Sequence, residues 1–445
     1  MRSKTRYDRV DKYLIKAELR SPMHVGSADR NAEEILIHPV TRKPFIQASS
    51  ITGALRSYYE GRKWDADELF GSSEKDNDNA LIKVTDGIFD NDTVLELRPR
   101  VKIDPFSGTV SSASVKGSGK ISGHKFDTEY IGVGSGYYFS VYVYQSGEGI
   151  EDIDKRMLDC FSAIQNGEIL FGGQKSSGCG DIEIKNLFYK KFDLRSPEGR
   201  ADWIRETELT EKDYKDIKSS LGGKNQGIYR ITVKAKVEDS ILVKGYKVSD
   251  FGKDAPDSIN IQNAKKDYIV PGTSFKGAVR SRTEYIAKCL KLEPKTIDEI
   301  FGAASEKDGT VGCARFYDAV IGKTEDNDKN SISHRIHIDK FTGGVMNGSL
   351  FSEKTAAGVI QLKVDISERN NPERAVGVIA MALRDLANGL YNLGGGYHIG
   401  HGFLEVKDIS IEKGDKAALI DFMGDKIEDK DGLLKDCLAA VGKGN

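Results

Sequence analysis

Apolar and polar residues alternate in part along Asp11-Lys12-Tyr13-Leu14-Ile15-Lys16-Ala17-Glu18-Leu19-Arg20, and more cleanly along Gly227-Ile228-Tyr229-Arg230-Ile231-Thr232-Val233-Lys234-Ala235. A period of two sorts side chains onto opposite faces, so both segments are predicted strands. Each is followed by a polar loop, a turn, and a helix predicted from about Ser50 and from about Ser274; apolar residues keep helical spacing through Tyr285-Ile286-Ala287-Lys288-Cys289-Leu290. Residues 136–144 and 359–366 read as further strands, residues 154–166 and 373–393 as helices. Glycine-rich turns then lead into closing strands at 181–187 and 403–411. Residues 196–224 are charged and helix-prone, a connector, and the tail after Lys413 reads as one or two helices packing on the second half.

The two halves repeat each other in sequence as well as in pattern. Gln47-Ala48-Ser49-Ser50-Ile51-Thr52-Gly53-Ala54-Leu55-Arg56 answers Pro271-Gly272-Thr273-Ser274-Phe275-Lys276-Gly277-Ala278-Val279-Arg280, an offset of 271 − 47 = 224. Leu69-Phe70-Gly71 answers Ile300-Phe301-Gly302 (300 − 69 = 231), and Arg100-Val101-Lys102-Ile103-Asp104 answers Arg335-Ile336-His337-Ile338-Asp339 (335 − 100 = 235). Phe106-Ser107-Gly108 and Phe341-Thr342-Gly343 follow these last two, and the turn from Gly172 to Gly180 answers that from Gly394 to Gly402 (394 − 172 = 222). Landmarks in one order with small drifts are loop insertions in a duplicated domain, and the period is too long for a solenoid. Strand, helix, strands, helix, strand in each half gives an α+β class, two tandem ferredoxin-like (RRM-like) domains. The predicted boundaries are 8–190 and 226–412 for the domains, 191–225 for the connector and 413–445 for the helical tail.

At 445 residues the chain has room for such domains, each with its own core. No apolar run is long enough to span a bilayer, and the basic start Met1-Arg2-Ser3-Lys4-Thr5-Arg6 lacks the apolar stretch of a signal peptide. Five scattered cysteines with no Cys-x-x-Cys pair fit reduced thiols in a cytoplasm better than a zinc ribbon or a disulfide frame. A net charge of −2 is unusual for a free-standing nucleic-acid binder. Lys and Arg gather in the repeated segments while acids fill the connectors, so local positive stripes remain available.

Ser49, Ser50 and Thr52, with Thr273, Ser274 and Lys276, stand at helix starts, where unpaired amides and the positive helix end attract phosphate. Gly53 and Gly277 would let a polyanion approach closely, and Arg56 and Arg280 follow one turn later. The glycine-rich turns lack the Lys-Ser/Thr of a nucleotide-triphosphate loop, and His398 and His401 are a weak metal signal without a thiol or acidic partner.

These motifs (a hydroxyl-rich turn opening a helix with Gly and Arg, an Ile-Asp-x-x-Ser/Thr-Gly loop, a glycine-rich turn before the last strand) resemble the RAMP superfamily of CRISPR–Cas effector complexes. The likeness covers about 10–190 and 226–412, and two modules in one chain resemble fused type III-D backbone subunits. The resemblance implies RAMP domains with thumb-type hairpin insertions, here at 110–124 and 345–355. It also implies CRISPR guide RNA, single-stranded target RNA and other type III effector subunits as partners, with no membrane. Arg98, Arg100 and Lys102, matched by Arg335, His337 and Lys340, are then expected on RNA, as are Lys175 and His398 on the glycine-rich turns. Cutting members use an aspartate ahead of the hydroxyl turn. Counting back from Pro271 gives Asp257 (271 − 14) and from Gln47 gives Glu33 (47 − 14), with Asp254 and Asp29 near them. The implied chemistry is attack of a ribose 2′-hydroxyl, with Mg2+ or Mn2+ as possible aids. Two alternatives are a scaffold that holds RNA without cutting and a guide-processing endonuclease, for which His24 is the candidate base; His38 stands too close to the turn.

Overall fold

A computed structural model describes residues 7–26, 34–72, 80–101, 103, 112–114, 121–123, 125–147, 149–222, 227–245, 256–303, 309–322 and 332–442, without the side chains of 112–114, 121–123 and 125–126. By packing, the chain divides into two units: Met1–Leu95, Tyr130–Lys175 and Cys179–Asn225 form the first, and Glu96–Glu129, Ser176–Gly178 and Gln226–Asn445 the second. The division differs from the boundaries expected from sequence. The segment Glu96–Glu129 and the three residues Ser176–Gly178 pack with the second unit.

Along the first repeat run β1 (Arg9–Leu19), β2 (Phe45–Ile46), α1 (Ala48–Gly61), α2 (Ala66–Phe70), β3 (Ile82–Val84) and β4 (Gly87–Phe89). Next come β5 (Leu95–Val101), β6 (Ser112–Ser114), β7 (Ile121–Gly123) and β8 (Lys125–Ile131), forming the small pairs β5–β8 and β6–β7. The repeat closes with β9 (Gly136–Gln145), α3 (Ile153–Gln165) and β10 (Ile182–Asp193); the connector adds α4 (Pro197–Ile204) and β11 (Lys215–Asp216). The main sheet runs β11-β10-β1-β9-β4-β2 with β3 also on β9, and these strands pair antiparallel. Alternation along β1 sends Tyr13 and Ile15 into the core with Ile51, Leu55 and Tyr59 of α1 and Phe161 of α3. Spacing of four along α1 makes that apolar stripe.

The opposite face of this sheet is covered by the connector. Trp203 of α4 meets Tyr142, Tyr144 and Phe192 edge-on, and Lys12 and Lys16 pair with Glu206 and Glu211. An RRM-like sheet offers this face for base stacking; in the first unit it is already occupied. The connector itself is one short helix and several 3₁₀ turns rather than a long helix, because Ser196 caps α4 through Gly199 N–H and the chain soon turns again.

The second repeat follows the same plan with β12 (Ile228–Val237), β13 (Ser258–Ile259), β14 (Ile269–Val270), α5 (Gly272–Cys289), α6 (Pro294–Phe301), β15 (Ala314–Phe316) and β16 (Ala319–Gly322). Then come β17 (Ser333–Ile338), β18 (Val345–Lys354), β19 (Val359–Ser367), α7 (Pro372–Ala387) and β20 (Leu404–Lys413). Its sheet order, β14-β16-β19-β12-β20 and then two strands of the tail, repeats the first unit's arrangement of closing strand, first strand and middle strand. The tail differs from expectation. It forms two strands, β21 (Lys416–Asp421) and β22 (Lys426–Glu428), before one helix, α8 (Leu433–Gly442). Lys416–Asp421 is too short and too mixed in charge to show a period, and only pairing with Lys413–Asp408 of β20 makes it a strand. α8 then buries Leu434, Cys437 and Val441 in the second core. Among the described residues, no helix is long and apolar enough to cross a membrane.

Candidate nucleic-acid interface

Both repeated helices begin two residues earlier than the sequence predicts, at Ala48 and Gly272, after Gln47 and Pro271 in extended conformation. The reason lies far away in the chain. Asp86 accepts the Ala48 N–H at 2.7 Å and Asp318 accepts the Gly272 N–H at 2.8 Å, so a distant carboxylate caps each helix. The serine and threonine hydroxyls are therefore not needed as caps, and neither helix has a side-chain cap bond from its N-cap residue. Ser49, Ser50, Thr52, Thr273 and Ser274 all lie within the first turns, part-buried or exposed. The signal for these caps was present in sequence: Asp86 and Asp318 stand at an offset of 318 − 86 = 232, in step with the other landmarks.

The two helix starts differ in charge. In the second unit, Asp318 is paired with Arg98 at 2.6 Å, and Arg98 also grips Glu96 at 2.6 Å. Lys276, at the position of Thr52, is half-buried and donates to Ser176 Oγ at 3.0 Å. Burial, and then repulsion from Arg280 and Arg100, pull the Lys276 ammonium down to about 8. A cation held beside two others gains most from an anion. In the first unit the same turn carries the neutral Thr52, and Asp86 makes no ion pair among the described residues. An open cleft of about 360 Å³ lies there, lined by His38, Pro39, Phe45, Gln47, Ala48, Ser49 and Asp86.

Gly53 and Gly277 sit on the exposed side of these helices, and a Cβ at either would meet nothing within 4 Å. Nothing in the fold requires glycine there, although glycine inside a helix costs about 1 kcal/mol relative to alanine. Gly53→Ala and Gly277→Ala are expected to stabilise the protein by up to about 1 kcal/mol in urea unfolding. The same variants are expected to bind RNA more weakly by fluorescence anisotropy, the methyl group adding bulk on that open face.

Arg56 and Arg280, both part-exposed, are engaged within their own units. Arg56 bonds Glu60 (2.8 Å), Asp67 (2.6 Å) and the Gly71 carbonyl (2.8 Å); Arg280 bonds Glu284 (2.9 Å) and the Gly302 carbonyl (3.2 Å). Each arginine ties its helix to the glycine that ends the next one, which explains why Leu-Phe-Gly and Ile-Phe-Gly recur. Arg98, expected on RNA, is instead 6% exposed. Burial alone would lower its pKa, but attraction to Asp318 and Glu96 outweighs that and raises it. Arg335 is likewise committed, to Glu353 (3.3 Å) and to the ring of His401, whose other nitrogen meets Ser240 Oγ. Burial and then Arg335 lower the His401 pKa, so its imidazole is neutral and receives the guanidinium N–H. Arg100 remains half-buried beside Lys276, while His337, Lys340, Lys175 and His398 are exposed. Lys102 lies outside the described residues.

The glycine-rich turns pack on the loops that follow the first strands. A side chain at Gly172 would meet the His24 carbonyl, and one at Gly394 the Leu242 carbonyl. Gly180 and Gly402, at φ +86° and +80°, have the Phe171 and Leu393 carbonyls directly above them. Only glycine fits both the space and the angle.

Of the candidate acids, Glu33, Asp29 and Asp254 lie outside the described residues. Asp257 is exposed just ahead of β13, and its Oδ2 accepts from Ser352 N–H (2.9 Å) and Oγ (3.0 Å) of β18. Two donors fix that carboxylate at the base of the β17–β18 hairpin. Among the described residues, no three His, Cys, Asp or Glu side chains gather as a metal site, so Asp257 brings no ready-made ligand set for Mg2+ or Mn2+. His24 is 6% exposed and packs on Tyr130, a poor position for a base that must reach substrate.

The hairpin itself projects Phe341. Asp339 accepts the Phe341 and Thr342 N–H groups at 2.8 and 2.9 Å, and Gly343 completes the turn at φ +67°. Those backbone bonds, Thr342 first, hold the Asp339 pKa low. The turn leaves Phe341 92% exposed, with Ile336, Ile338, Val345 and Leu350 exposed along the strands.

No curated protein matches the chain. Among solved structures it is similar to a chain of the cryo-EM structure of the Type III-B Cmr-beta bound to cognate target RNA, with 19% identity and a TM-score of 0.31. That likeness covers 41% of this chain and 61% of the other, so the chain spans less than two thirds of that relative. A model of the RAMP superfamily matches residues 16–183 and 222–405, both repeats with their helix starts, hairpins and glycine-rich turns. The chain belongs to the RAMP superfamily.

Proposed function

We propose that the chain is a backbone subunit of a type III CRISPR effector complex that holds guide RNA and cuts the paired target RNA. The observation that carries this reading is the repeated helix start, with hydroxyls and a glycine unneeded by the fold, joined in the second unit by Lys276, Arg100 and Ser176. Contacts of this kind hold a sugar-phosphate chain and leave bases free to pair. Phe341, at the tip of a hairpin exposed on both faces, serves as a wedge between bases.

Asp257 is the residue for cutting. Fixed by Ser352, its carboxylate takes the proton of a ribose 2′-hydroxyl; the oxygen attacks the adjacent phosphorus, the bond to the next 5′-oxygen breaks, and water protonates that oxygen. This leaves a 2′,3′-cyclic phosphate and a 5′-hydroxyl. The specific bonds between Asp257 and Ser352 also suit a second reading, a scaffold in which this acid only braces the hairpin. The two readings part in the native complex carrying Asp257→Ala. The first expects guide RNA retained and one cut lost, at least about a hundredfold slower; unchanged cutting with a loosened hairpin establishes the scaffold.

A further inference from the structure

The second unit shows how a repeated helix start is completed, and the first unit lacks that completion. In the second, strand β5 brings Glu96 and Arg98 against the start of α5. Glu96 Oε1 accepts the Ala264 N–H at 2.8 Å, Arg98 joins Glu96 to Asp318, and Asp318 caps Gly272. Every polar group in that chain is satisfied, and the guanidinium neutralises the helix-capping acid. In the first unit, the equivalent acid, Asp86, caps Ala48 in the same way but meets no cation among the described residues. Beside it lies the open cleft walled by His38, Phe45 and Gln47. The His38 ring accepts the Val40 and Thr41 N–H groups at 3.2 and 3.1 Å through Nδ1, so its other nitrogen is left for the cleft side.

We propose that this cleft docks an extended strand of a different protein chain, whose arginine pairs with Asp86 as Arg98 pairs with Asp318. The half-buried carboxylate without a cation sets the charge of the occupant, and the filled site in the second unit supplies its shape. A second copy of this chain does not fit. Advancing Glu96 and Arg98 by the local offset of 235 gives Ser331 and Ser333, which carry no charge, and Arg335 is already held by Glu353 and His401. The cleft thus asks for a partner strand with an arginine and, two residues earlier, an acid. This inference stands apart from whether the chain cuts RNA.

The probe is a labelled peptide of this chain's own β5 sequence, Val94-Leu95-Glu96-Leu97-Arg98-Pro99-Arg100-Val101, added to the full-length protein and read by fluorescence anisotropy. Saturable binding is expected. It should weaken at least about tenfold with Asp86→Asn and with a peptide carrying glutamine in place of Arg98, the loss of one charged hydrogen bond. Asn keeps the oxygen that caps Ala48, so an unchanged thermal melt shows that the variant is folded. Absence of binding, or equal binding to wild type and Asp86→Asn, overturns the proposal. Two other results also overturn it. Self-association of the chain that Asp86→Asn abolishes makes the occupant a second copy; tighter RNA binding by Asp86→Asn with no peptide binding makes the cleft an RNA subsite.

Discussion

Arg98→Met is expected to destabilise the second unit by about 3–5 kcal/mol in urea unfolding of the full chain. Arg98 is buried between Glu96 and Asp318, and each carboxylate also receives a backbone N–H, from Ala264 and Gly272. Removing the cation leaves the buried Glu96 and the part-buried Asp318 without their common counter-charge. The penalty is electrostatic, so it should ease at acid pH. Arg98→Lys keeps one charge without the fork and should lose less, about 1–2 kcal/mol. Replacing Glu96, Arg98 and Asp318 together by apolar residues should cost less than Arg98→Met alone. A loss below about 1 kcal/mol for Arg98→Met would show that the ion pairs are peripheral to the fold.

Lys276→Gln should weaken RNA binding by about ten- to a hundredfold, the range for one charge-assisted contact to phosphate. It should also make the protein more stable at neutral pH, by about 1 kcal/mol. The opposite signs follow from one fact: burial, Arg280 and Arg100 hold the ammonium at about 8, below its ordinary 10.5. The folded protein binds this proton more weakly than the unfolded chain does. The resulting penalty is fully present below about pH 8 and is relieved as pH rises toward 10.5, so stability rises through that window. Phosphate reverses the balance by favouring the charged form. RNA affinity should therefore hold steady below about pH 8 and fall above it, and the fall should be absent in Lys276→Gln. Matching pH profiles for wild type and variant would place the phosphate elsewhere.

Much of the architecture was legible because its signals are local. Alternation in β12 (Ile228–Val237), the spacing of Ile51, Leu55 and Tyr59 in α1, and glycine-rich turns at matching places all follow from neighbours a few residues apart. The order of those signals, repeated, gave the duplicated ferredoxin-like plan. What escaped depends on partners far along the chain. The helices start early because Asp86 and Asp318 reach back 38 and 46 residues to cap them, and no window around Ser50 or Ser274 contains that acid. Arg56 and Arg280 looked like phosphate ligands because they follow a hydroxyl turn, yet their forks close on Gly71 and Gly302. Arg98 is an alternate residue of a strand, and only its packing against Asp318 makes it a core residue. The tail strands needed β20 as a template. In the candidate interface, the hydroxyls, Gly53, Gly277 and Lys276 were visible by sequence; the two capping acids kept step with the repeat, but nothing local marked them as caps, and nothing marked Ser176.

The central claim is that both repeats hold a sugar-phosphate chain without reading its sequence. Its most direct test is the salt dependence of single-stranded RNA binding by the full chain, compared with Gly53→Ala, Lys276→Gln and the double variant. The expected result is a linear fall of log affinity with log salt at about 0.7 per phosphate held, similar for unrelated RNA sequences. Each single variant should weaken binding, the double should weaken it further, and Lys276→Gln should reduce the slope by about 0.7. No binding, binding independent of salt, or a double variant that binds as tightly as the wild type would contradict the claim.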